Sequence, residues 1–189
     1  MTVYMRAREI ISKPVVTLSG DAVGQVKDIV FDSSTGSIRC FTLVGRGLLS
    51  RPLHQALRWE DVHALGPHAV TVRDERALEE DDTAARPGKE ERAGVNVLGL
   101  AVTTRSGTQL GTVTDAVVAT GRAPVVAGYE VETAEHRRVL LPVAGAVTVS
   151  GERVLVADIT AQHSAANLGG FAEAVEKLRD LPERDSRED

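Results

Sequence analysis

The sequence predicts an all-β chain, two tandem small β-barrels followed by a short C-terminal α-helix, and three observations carry that expectation. The stretch Ser19–Val30, SGDAVGQVKDIV, is written again as Ser106–Val117, SGTQLGTVTDAV, with Ser, Gly, Gly, Val, Asp and Val at matching positions. Valine and alanine carry the apolar load, because hydrophobic residues make up 42% of the chain and aromatic ones only 3%, a composition suited to thin, strand-built cores. Near the C-terminus, Leu168, Phe171, Val175, Leu178 and Leu181 recur at steps of three and four, which is the helical period.

The elements follow in order. Pro14–Leu18 is a short apolar run, Ser19-Gly20-Asp21 is a turn in which Gly20 supplies a positive φ, and Val23–Phe31 is the returning strand of a hairpin. Gly24 interrupts that strand and marks a bulge or bend of the kind that closes small barrels. Asp28 shares a parity with Val26 and Val30, which places it at a strand edge or beyond the bend. After a polar turn at Phe31–Gly36, Ile38–Val44 is the next strand; in the second repeat Thr120–Pro124 turns the chain into Val125–Val131. Leu57–Val62 and Ala69–Arg73 are echoed by Leu140–Val143 and Arg153–Ala157. Each repeat thus offers about five or six strands in roughly 70 residues, the spacing of a small barrel. The expected organisation is a first barrel over 1–76, a charged linker over 77–93, a second barrel over 94–162, an amphipathic helix over 163–182 and a disordered tail over 183–189.

Val15–Val30 and Val102–Val117 both obey V-x-x-x-x-G-x-x-[V/L]-G-x-V-x-D, and Leu57-Arg58-Trp59-Glu60-Asp61-Val62 follows as an L-P-x-E-D-V type segment. This pattern resembles the PRC-barrel domain, the family shared by the cytoplasmic part of the photosynthetic reaction-centre H subunit and by a ribosome maturation factor. The resemblance runs from about Arg6 to Asp74 and again from about Gly94 to Ile159. The H subunit places a membrane helix ahead of its barrel and the maturation factor joins one barrel to a different domain, whereas two similar repeats follow one another here, so neither role carries over. What the resemblance implies is a non-enzymatic barrel that contacts other macromolecules.

Charge narrows the partners. The net charge is -5, and the acid is concentrated in the stretch Glu75–Gly94 and in the residues after 164, leaving both barrels close to neutral. Phosphate binding needs clustered basic side chains, so a nucleic acid is not the expected main partner. The stretch ERALEEDDTAARPGKEERAG reads as a solvated connector with a helical turn at Arg76–Asp82. The single cysteine, Cys40, excludes an internal disulfide and suits a reducing compartment. No window approaches the roughly 20 apolar residues of a membrane span, so a cytoplasmic chain with no membrane insertion is expected.

Candidate chemistry is sparse. Asp28 and Asp115 read as acids that lock nearby backbone amides, since nothing pairs either with a second titratable group as acid-base catalysis requires. His54, His63, His68, His136 and His163 lack metal-ligand spacing, and Cys40 reads as a small buried side chain. There is no nucleophile elbow, P-loop or dinucleotide fingerprint. No catalytic residue, metal or cofactor is therefore expected. The candidate contact residues are Arg46, Leu48, Leu49 and Arg51 in a glycine-bearing loop, echoed by Arg137 and Arg138, together with the lone tryptophan, Trp59. Phe171, Val175 and Leu178 form a stripe that either docks on its own barrel or meets a partner or a second subunit as a homodimer. The expected function is a protein-interaction or scaffold module for a partner the sequence does not identify; the alternatives are a small-molecule or anion-binding sensor and an RNA or ribosome accessory factor.

Overall fold

The computed structural model describes residues 2–32, 35–45, 55–80, 97–143, 147–150 and 153–180. It consists chiefly of strands in two seven-stranded sheets. The chain divides into two compact units, the first made of residues 1–97 with 115–126 and the second of 98–114 with 127–189. Among the described residues no helix is long and apolar enough to cross a membrane.

In the first unit the strands are β1 (Val3–Arg6), β2 (Pro14–Thr17), β3 (Ala22–Phe31), β4 (Ile38–Val44), β5 (Gln55–Arg58), β6 (Val62–Leu65), β7 (Val70–Val72) and β8 (Leu78–Glu80), with a one-turn helix α1 (Ala7–Ile10) after β1. Seven of them form a sheet in the order β6-β7-β2-β3-β4-β5-β8. The β2–β3 hairpin is the one expected: Gly20 has φ +97°, and the Thr17 hydroxyl accepts from the Asp21 amide at 3.0 Å. The ladder skips a residue between its Val15–Gly24 and Val16–Ala22 pairs, so the bulge falls at Val23, just ahead of the glycine. The sequence did not reveal that β2 and β7 pair in parallel, Val15 opposite Val70, a contact that joins the two ends of the repeat. Phe31, Phe41, Leu57, Val15, Val26, Val70 and Val72 fill the interior and are essentially inaccessible. Each such side chain contributes about 1.5–3 kcal/mol by leaving water.

The linker reading needs correction at its start. Where a helical turn was expected from Arg76 to Asp82, the chain makes a 3₁₀ turn at Glu75–Ala77, whose first free amide, Arg76 N, donates to the Asp74 carboxylate at 2.8 Å. It then forms β8, antiparallel to β5 with Leu78 opposite Leu57. Ala77 and Leu78 pack against the hydrophobic cluster, so the two apolar residues of this charged run anchor the edge strand. Asp81 and Asp82 lie outside the described residues.

The second unit repeats the plan with β9 (Ala101–Thr104), β10 (Gln109–Thr120), β11 (Val125–Glu132), β12 (Arg138–Pro142), β13 (Thr148–Ser150) and β14 (Arg153–Val156) in the order β12-β11-β10-β9-β14-β13. Here β9 and β14 are the parallel pair, Val102 opposite Val154, and the bulge falls at Leu110, again just ahead of a glycine. Two helices follow, α2 (Asp158–Gln162), which the sequence did not suggest, and α3 (Leu168–Arg179). Asn167 caps α3 by accepting from Gly170 N at 3.0 Å. The outer part of the β10–β11 hairpin, residues 115–126, belongs to the first unit.

The two units lock their equivalent hairpin turns with different acids. In the first, Ser19 Oγ donates to the Asp21 carboxylate at 2.8 Å, two residues away. Thr108 occupies the matching place in the second, and the acid is supplied by Asp158 at the start of α2, which accepts from the Ser106 hydroxyl and from Ser106 N at 3.1 Å. Those two donations, the hydroxyl first, hold the Asp158 carboxyl below its usual value. A depressed folded-state value means stability that is present above about pH 4 and lost as the pH falls through the lower value. Urea midpoints of the wild type and of Asp158→Asn, compared from about pH 6 to about pH 2.5, are expected to differ most near neutrality and to converge in acid. A constant gap would mean that the carboxylate charge contributes nothing.

Candidate interaction surface

The first unit contains a place where one stretch of chain is held by another distant in sequence. Val3–Arg6 is a short β-branched and aromatic strand that leads directly into α1, and it runs antiparallel to the outer part of β10, with Val3 opposite Thr120 and Arg6 opposite Val117. The Thr120 hydroxyl donates to the Val3 carbonyl at 2.9 Å. On the returning side, Ile38 N donates to the Pro124 carbonyl at 3.0 Å and Val126 N to the Gly36 carbonyl at 2.9 Å. At the tip, the indole N–H of Trp59 donates to the Arg122 carbonyl at 3.0 Å. Trp59 stands on the 3₁₀ turn Trp59–Asp61, half-buried, with its ring edge-on to Phe41 at 6.1 Å. The apolar side of the same hairpin inserts Val118 into the hydrophobic cluster that contains Met5, Ile10, Phe31 and Phe41, and Val126 packs against it.

Asp115 closes the base of this arrangement. It is buried, its Oδ1 accepts from Ala116 N at 2.8 Å, both carboxylate oxygens lie 3.4 Å from Arg8 N, and Arg8 Nε approaches Oδ2 at 3.4 Å. Its repeat equivalent, Asp28, accepts from Ile29 N at 2.8 Å in the same local manner. The expectation that both acids lock backbone amides therefore agrees with their geometry, and Asp115 adds a guanidinium that local sequence could not suggest.

The remaining candidates fall elsewhere. Arg46, Leu48, Leu49 and Arg51 lie outside the described residues, as does His54. Phe171, Val175 and Leu178 are buried within the second unit, where α3 packs on β12, so this stripe is docked on its own barrel and offers no free face. Arg138 stands over Glu130, a buried carboxylate that also accepts from Thr114 Oγ1 at 3.3 Å. Sequence reasoning passed over Glu130, whose partners Arg138 and Thr114 lie on other strands. Burial pushes the Tyr129 phenol up, which keeps it neutral. Cys40 is buried on β4. His63, His68 and His136 are exposed, and among the described residues no three metal-ligating side chains come together.

What fold and surface define together is a tandem small-barrel protein whose first unit ties residues 115–126 of the second repeat through main-chain hydrogen bonds. The PRC-barrel domain model matches twice, over residues 3–78 and 89–163, and the chain belongs to that family. No curated protein matches it.

Proposed function

We propose that this chain is a non-enzymatic protein-interaction or scaffold module whose barrels dock polypeptide. The observation that carries the reading is the fastening of residues 115–126, where β1, Gly36, Ile38 and Trp59 all engage the hairpin's main chain. Recognition of that kind is strand addition anchored by an aromatic side chain. The acids with the most enzyme-like appearance, Asp28, Asp115 and Asp158, spend their oxygens on backbone amides. The composition of the loop bearing Arg46, Leu48, Leu49 and Arg51, two cations beside two leucines, supports a contact role for it as well.

The test is capture by the immobilised full-length chain from a lysate of its source organism, alongside a chain carrying Arg46→Ala and Arg51→Ala. The same protein is expected in independent preparations, reduced by about tenfold with the double variant, as loss of about 1.4 kcal/mol would give. Empty pull-downs combined with a rise in melting midpoint on adding phosphate, nucleotides or carboxylates would overturn the reading in favour of an anion sensor.

A further inference from the structure

We draw no further inference here: the strongest candidate, the side-chain cluster in which the buried Glu130 carboxylate of β11 lies beneath the exposed Arg138 of β12, already meets Arg138 and the Thr114 hydroxyl within its own unit, and nothing among the described residues shows a ligand or partner that would part them.

Discussion

Replacing Gly111 by alanine should destabilise the protein by about 3 kcal/mol or more, while the same replacement at Gly24, its repeat equivalent, should cost less than about 1 kcal/mol. The two glycines sit in the same motif and follow the same bulge, but their backbones differ. Gly111 has φ +147°, where an L side chain is strained, and a Cβ there would press on the Glu132 carbonyl oxygen while standing 2.7 Å from Val131 Cγ1. Glu132 belongs to β11 and is paired with Arg138 of β12, so its carbonyl cannot retreat without disturbing a ladder on its other side. At Gly24 the φ is ordinary, and the nearest atoms to an added Cβ are Val44 O at 3.5 Å and Leu43 Cδ1 at 3.6 Å, which is normal contact. Alanine there also narrows the unfolded ensemble, which partly offsets any cost. Chemical denaturation followed by far-UV circular dichroism measures both variants. A Gly111→Ala protein within about 1 kcal/mol of wild type would mean that β10 and β11 do not approach as closely as described.

That contrast shows what a repeat makes legible and what it conceals. The turn at Gly20, the bulge ahead of Gly24 and the strand Ile38–Val44 were readable because each depends on a few consecutive residues whose φ requirement or alternation is local. The β2–β7 and β9–β14 parallel pairs were not, since a two-residue period tells which face a side chain takes but not which strand lies beside it. The run Ala116-Val117-Val118-Ala119 did carry a signal. All four residues are buried, and four consecutive apolar residues without alternation mean a strand covered on both faces. Read so, it would have announced that the outer part of β10 is covered on both faces, and Val118 does enter the hydrophobic cluster of the first unit. Trp59 was recognisable as an anchor from its type alone, whereas Arg8 was not, because its carboxylate lies 107 residues away. Glu130 escaped notice for a different reason: its neighbours Thr114 and Arg138 are set by strand pairing, and alone it looks like any surface acid on a strand.

The C-terminal helix supplies the other large effect. Phe171→Ala is expected to destabilise the second unit by about 3–5 kcal/mol, whereas Glu176→Ala, on the exposed side of the same helix, should stay within about 0.5 kcal/mol of wild type. Phe171 is wholly buried, and its ring lies over Gly128 of β11 so closely that a Cβ on that glycine would meet ring carbons at 2.7 and 2.8 Å. Glycine there and phenylalanine on α3 are thus two halves of one packing contact. A helix of 12 residues has little stability of its own in water, so removing the ring should release α3 as well as leave a cavity, and Ala174, Val175 and Leu178, all now buried, would be bared to solvent. Hydrogen exchange of the α3 amides, measured beside the denaturation curve, separates release of the helix from simple loosening of the core. If Phe171→Ala instead left stability and exchange unchanged but abolished partner capture, the apolar stripe would be an interaction face, and its docking on β12 would not describe the protein in solution.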